Sequence, residues 1–204
     1  EPIARDRADL LARLDGLLVG NSPVEGVFFK NQFLQPDLDF TVRFPPKWDT
    51  VNAPNLVAAK APDEDVLVLV QLVGRGDDPL QVARAVEEKA KVRLLENAQL
   101  TEINGLRAVR SATIVRGSKG KMGLDLTWIA HRSLVYQITG VSPSKQFNRY
   151  SKAFFDVAGS FRPLSEAERS EIKEARLHIV RAQDGEVLEK LIGRTNGVWT
   201  PAET

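Results

Sequence analysis

The sequence predicts an α+β fold, an antiparallel sheet packed with helices, and three observations carry that reading. Short segments of alternating apolar and polar residues, bounded by Pro and Gly, mark strands on both sides of residue 80. Two longer segments, after Pro79 and after Ser144, repeat apolar residues every three or four positions and mark helices. The order is strands, helix, strands, helix, without the alternation that builds a parallel sheet.

The first element expected is a helix over residues 3–19, with Ile3, Leu10, Leu11, Leu14, Leu17 and Leu18 as its apolar stripe and Gly20-Asn21-Ser22-Pro23 as its stop. A short amphipathic helix needs a surface to pack on, so residues 1–22 are read as a connector from an absent upstream domain. From Phe28 the period changes. Leu38, Phe40, Val42 and Phe44 alternate with Asp39, Thr41 and Arg43 as in a half-buried strand, which Pro45-Pro46 ends and Trp48 follows as an apolar anchor. Strands over 55–59 and 66–73 come next, joined by a turn at Ala61-Pro62-Asp63-Glu64-Asp65.

Asp78 is placed to cap a helix that opens on Pro79 and shows Val82, Val86, Ala90 and Leu94 on one face. Strands over 106–115, 123–130 and 134–141 follow, separated by Gly117-Ser118-Lys119-Gly120 and His131-Arg132-Ser133. Ser144 is the expected cap of a second helix, whose face is Phe147, Tyr150, Phe154, Val157 and Phe161. Residues 23–164 are therefore expected to form one α+β sandwich around one sheet. A small α/β tail occupies 165–204: a charged helix opened by Ser165-Glu166-Ala167-Glu168, a strand over 177–180, a turn at Asp184-Gly185 and a short helix over 187–192.

Composition excludes several functions. With 28 basic and 27 acidic residues the net charge is +1, so no global field draws the chain to nucleic acid or anionic lipid. Cysteine is absent, which removes disulfides, thiolate metal sites and cysteine nucleophiles. No stretch reaches the roughly 20 apolar residues of a membrane-spanning helix. Glu1-Pro2 at the start and Met122 as the only methionine lead us to expect a fragment of a longer protein.

No residues are nominated as catalytic, cofactor-binding or metal-ligating. His131 and His178, the only histidines, stand apart from each other and from any Glu-x-x-His pattern, and are read as a turn residue and a strand-edge residue. Asp63, Glu64 and Asp65 lack the longer oxygen alternation of a calcium loop and are read as a solvated turn. Arg75-Gly76-Asp77, a tripeptide integrins recognise, is read as a turn. Arg116-Gly117-Ser118-Lys119-Gly120-Lys121 lacks phosphate-loop spacing and is read as a hairpin tip. Phe44, Trp48 and Trp128 are read as core, with an aromatic ligand slot as the alternative.

The run Leu10-Leu11-Ala12-Arg13-Leu14-Asp15-Gly16-Leu17-Leu18-Val19-Gly20-Asn21-Ser22-Pro23, with Phe33-Leu34-Gln35-Pro36-Asp37-Leu38-Asp39-Phe40 and Phe44-Pro45-Pro46-Lys47-Trp48, resembles a segment of exported bacterial zinc metallopeptidases related to the CAAX prenyl endopeptidases. There the segment follows directly on the catalytic domain. The resemblance implies a non-catalytic, periplasmic or otherwise exported accessory region that positions substrate or binds a partner. Zinc, on a His-Glu-x-x-His helix, is expected in the absent upstream domain and no cofactor in this chain. The strand ending at Phe44-Pro45-Pro46-Lys47-Trp48 and the element order resemble the PsbP sandwich, which implies fold alone. The tail from His178 to Leu191 is similar to the opening of a LysM peptidoglycan-binding module. It implies the alternative of an envelope glycan-binding or interaction module with no linked peptidase.

Overall fold

The computed structural model describes residues 4–17, 25–62, 64–118, 120–172 and 176–195. The chain divides into two compact units, Asn21–Lys173 and a smaller one formed by Glu1–Gly20 together with Glu174–Thr204.

The larger unit holds two antiparallel sheets where the sequence suggested one. Strands β1 (Val27–Phe29), β2 (Gln32–Gln35) and β3 (Phe40–Arg43) form a three-stranded sheet in that order. The second sheet comprises β4 (Asp49–Ala53), β5 (Leu56–Lys60), β6 (Leu67–Arg75), β7 (Gln99–Ile103), β8 (Leu106–Gly117), β9 (Gly120–His131) and β10 (Leu134–Pro143). Its spatial order is β4-β5-β6-β10-β9-β8-β7, so β10 closes the two meanders into one surface.

Alternation along these strands sends apolar side chains to both faces of the large sheet. On one face Val109, Leu126, Trp128 and Val135 pack under helix α2 (Pro79–Ala90) and the loop after it, with Ala83 and Leu94 as partners. Asp78 caps α2 as the sequence predicts, accepting from the Leu80 and Gln81 amides at 2.9 and 3.3 Å. The helix stops earlier than the spacing suggested: Lys91 turns left-handed at φ 54°, and the Glu87 carboxylate takes the amides of Leu94 and Leu95 at 2.6 and 2.7 Å. Leu94 is thus buried from a loop.

On the opposite face Val57, Val68, Val70, Ile129 and Ile138 meet helix α3 (Phe147–Gly159) and the inner side of the small sheet, which contributes Phe33, Phe40, Val42 and Phe44. Helix α3 begins after Gln146 with no side-chain cap, so Ser144 does not serve the capping role expected of it. Close approach of α3 is set by glycine. A Cβ on Gly140 of β10 would lie 2.3 Å from the Phe154 ring, and one on Gly123 of β9 would lie 2.4 Å from Phe147.

Helix α4 (Glu166–Glu171), the start of the tail expected over 165–204, belongs to the larger unit. The reason is a converging set of hydrogen bonds at Glu168. Its carboxylate accepts from Arg162 twice, at 2.7 and 2.8 Å, from the Ser165 amide and hydroxyl at 2.8 Å, and from Gln32 of β2 at 2.6 Å. Beside it Thr41 of β3 and Arg162 exchange backbone hydrogen bonds at 2.8 and 3.2 Å. Arg162 and the other donors hold the Glu168 carboxyl well below the ordinary carboxylate range.

The smaller unit joins both ends of the chain, which the sequence reading had assigned to separate pieces. Helix α1 (Arg7–Leu14) is capped by Asp6, and after it Gly16 donates to Leu177 and Leu177 donates back to Leu17, both at 2.8 Å. The Arg176 guanidinium and the Ile179 amide add bonds to the Gly16 carbonyl and the Asp15 carboxylate at 2.8 Å. Residues 177–180 form these isolated pairs rather than the expected strand. Helix α5 (Leu188–Thr195) follows the turn at Gly185, and Arg194 grips Glu186 at 2.9 and 3.0 Å.

Three substitutions test this packing. Replacing Gly140 by Ala should cost about 1–3 kcal/mol in urea unfolding, because Phe154 must leave its rotamer. Gly159→Ala, at an open helical position, should be neutral or stabilising by about 0.5–1 kcal/mol. Glu168→Ala should destabilise the larger unit by about 1–3 kcal/mol near pH 7. Because the folded carboxyl titrates below its ordinary value of 4.5, this contribution is fully present above about pH 4.5 and is lost as pH falls below it. Unfolding free energies of wild type and variant should therefore converge in acid.

Candidate functional site

A cleft of about 360 Å³ opens on the α3-side face of the large sheet, where the small sheet stops covering it. Val57 of β5, Val70 and Leu72 of β6 and Tyr136 of β10 lie along its floor. Phe33, Gln35, Leu38 and Phe40 line it from the small sheet, and Ala53, Pro54, Asn55 and Leu56 from the β4–β5 turn. Asn52 fixes the rim by donating to the carbonyls of Glu25 and Gly26 at 3.1 Å.

The floor carries a backbone irregularity. Along the β6–β10 pairing Val135 faces Gly74 but Tyr136 faces Leu72, so Val73 is an extra residue in β6. A bulge of this kind re-aims the side chains beside it. Leu72 is left 48 % exposed although it sits on a strand whose other same-face residues, Val68 and Val70, are buried.

Tyr136 is the chemical feature of the cleft. Its ring packs between Phe40 at 4.9 Å and Phe161 at 5.3 Å, and the residue is 1 % exposed. Its hydroxyl has no hydrogen-bond partner among the described residues. An unpaired buried hydroxyl costs free energy; of the hydroxyls in this state among the described residues, those of Ser111, Thr127, Tyr136 and Ser142, it is Tyr136 that lines the cleft. Burial is the main cause that pushes the phenol up to about 12, with Arg132 opposing the shift and Asp39 adding to it. At neutral pH the group is a donor and no base. The other polar groups at the rim are amides, from Gln35, Asn52, Asn55 and Gln71, and the Glu25 carboxylate. The Gln35 amide oxygen is engaged with the backbone of Asp37 at 3.0 Å.

The residues singled out in the sequence do not meet here. Trp128 is fully buried on the α2 side, its indole donating to Gln137 at 2.9 Å, while Phe44 is buried on the α3 side. Trp48 packs edge-on against Tyr150, so the three aromatic residues form no common slot. His131 is not a turn residue. It ends β9, is 7 % exposed and donates from Nε2 to the Asp39 carbonyl at 2.7 Å, which fixes that nitrogen as the protonated one. Asp39, left-handed at φ 57°, also accepts from Arg169 and from the Leu164 amide, so this cluster ties the small sheet to the segment after α3. His178 is exposed, 3.8 Å from the Asp15 carboxylate in the smaller unit.

Asp63 and Lys119 lie outside the described residues. Glu64 binds Gln146 at 3.0 Å and Arg149 at 3.5 Å. Arg75-Gly76-Asp77 leads from β6 into α2, and Arg116 and Lys121 face each other across the β8–β9 hairpin. Asp125, whose carboxyl burial raises against the lowering effect of Arg110, pairs with that arginine at 3.1 and 3.2 Å. Among the described residues no three His, Cys, Asp or Glu side chains converge as a metal site, and no helix is long and apolar enough to cross a membrane.

No protein-family model matches the chain, and no curated protein does. Its structure is similar to that of a protein from Bacteroides thetaiotaomicron, with a TM-score of 0.49 at 12 % identity over 69 % of this chain; the chain spans only 51 % of that protein. It is also similar to cyanobacterial PsbP from Synechocystis, with a TM-score of 0.48 at 15 % identity over 72 % of this chain and 99 % of the other. LpqN of Mycobacterium tuberculosis, involved in cell envelope biogenesis, matches with a TM-score of 0.47 at 11 % identity over 78 % and 98 %. These likenesses concern the fold. They supply no link to zinc metallopeptidases, and that resemblance rests on the residues quoted above.

The Tyr136 phenol gives the site a titration signature. The unfolded phenol ionises near its ordinary value of 10 and the folded one near 12, so stability should be intact below about pH 10 and fall as pH rises between the two. In urea unfolding across that interval, Tyr136→Phe should show a shallower fall than wild type.

Proposed function

We propose that this chain is the non-catalytic accessory domain of an exported zinc-dependent metallopeptidase of the bacterial cell envelope, where it positions substrate or binds a partner. Zinc and the water-activating glutamate belong to the domain expected upstream, and this chain performs no chemistry of its own. The observation that carries the reading is the cleft. It offers a buried unpaired donor and an apolar floor, which suit recognition, and its lining contains no nucleophile–base pair. The segments around Leu10–Pro23 and Phe33–Trp48, which resemble the region after a peptidase domain, supply the link to proteolysis.

The reading is tested in the full-length protein with Leu72→Arg, a change at a half-exposed position that puts a charge across the cleft floor. KM for an unfolded polypeptide substrate should rise roughly tenfold, while kcat on a short chromogenic peptide stays within about twofold. A full gene without a His-Glu-x-x-His helix before Glu1, or an unchanged KM, would sink the proposal.

A further inference from the structure

We infer that the cleft beside Tyr136 binds an uncharged, apolar side chain of an extended polypeptide, with the Tyr136 hydroxyl donating to a neutral oxygen of the same segment. This deepens, and rests on, the accessory-domain reading by naming the chemistry of what is recognised.

Charge and shape select the occupant. The lining residues include one carboxylate, Glu25, and no lysine, arginine or histidine, so an anionic head group would enter without a counter-charge. A cation would meet Glu25 only at the rim and would have to leave water to reach Val57, Val70 and Leu72. An apolar side chain gains from that floor, because Leu72 is an exposed apolar surface already set into a concave wall. Sugar recognition wants an exposed aromatic face. Here Phe33, Phe40 and Tyr136 are 3 %, 4 % and 1 % exposed and their rings are packed on one another, so no platform is offered.

The polar groups match a peptide backbone. Asn55 and Gln71 carry amide side chains, which both donate and accept, as a peptide unit does, while Asn52, whose amide nitrogen is engaged by Glu25 and Gly26, can offer its oxygen. Tyr136 adds a donor that stays protonated at neutral pH and is already desolvated, so pairing it recovers a hydrogen bond with little further loss of hydration. Leu72 and Tyr136 face each other in the β6–β10 ladder, next to the bulge at Val73, which joins the apolar contact and the hydrogen bond in one site.

The test uses the whole 204-residue chain and five-residue glycine peptides, acetylated and amidated, with one central residue varied. By calorimetry the phenylalanine or leucine peptide should bind at least roughly tenfold more tightly than the lysine or glutamate peptide. Tyr136→Phe should weaken it about fivefold, and Leu72→Arg should abolish it. Amide resonances of Asn55, Gln71 and Leu72 should shift on titration. Equal binding of charged and apolar peptides, unchanged affinity in Tyr136→Phe with its fold intact by circular dichroism, or displacement by muropeptide fragments would each overturn the inference. Should the peptides fail while Leu72→Arg still raises KM in the full-length protein, only the ligand class is wrong; should both fail, the accessory reading falls with it.

Discussion

A seven-stranded antiparallel sheet with apolar side chains on both faces has to be covered twice, and the arrangement of the larger unit follows from how that is done. On one face α2 and its following loop close over Trp128 and Val135. The other face is wider than α3 can cover, and the small sheet supplies the remaining cover with Phe33, Phe40, Val42 and Phe44. The cleft lies where that second cover ends. Its existence is therefore a matter of how much sheet is left over, and its chemistry is a matter of which residues β6 and β10 place in the remainder.

A cover made of three short strands needs fastening, since such a sheet is marginal alone. Two acidic side chains do this from opposite ends. Glu168 gathers Arg162, Ser165 and Gln32, while Asp39 gathers Arg169, Leu164 and, through its carbonyl, His131. His131, which the sequence suggests as a turn residue, thus acts as a structural donor. Both clusters draw on the segment after α3, which is why the charged helix α4 belongs with the sandwich.

Much of this was legible in the sequence where one residue's own chemistry decides the outcome. The Asp78-Pro79 start of α2, the box from Ser165 to Glu168 and the buried face of Phe154 and Val157 are local signals, and the structure uses each of them. Strands β4 and β7 were missed because they lie at the two edges of the sheet: Asp49, Thr50 and Val51, like Gln99 to Glu102, are exposed, so their sequence shows no alternation. An edge strand is defined by the backbone groups of its neighbour, which its own side chains do not report. The cleft escaped for a related reason. Tyr136 and Leu72 read as ordinary strand residues, and that they face each other from strands far apart in sequence is visible only once β6 and β10 are paired.

The pairing of Gly16 and Leu17 with Leu177 has a consequence for the order of events during synthesis. The hydrogen bond from Arg176 to Gly16 spans 160 residues of chain, so helix α1 leaves the ribosome long before its partner exists. It must wait, without a buried residue of its own to hold it, until the whole sandwich has been made. The sandwich can condense first and hold the chain that links the two halves in a compact form, sparing the smaller unit most of the entropy of closing so long a loop. The smaller unit is then the last part to assemble, and the first place where interrupted synthesis would leave helix α1 without its hydrogen-bond partners.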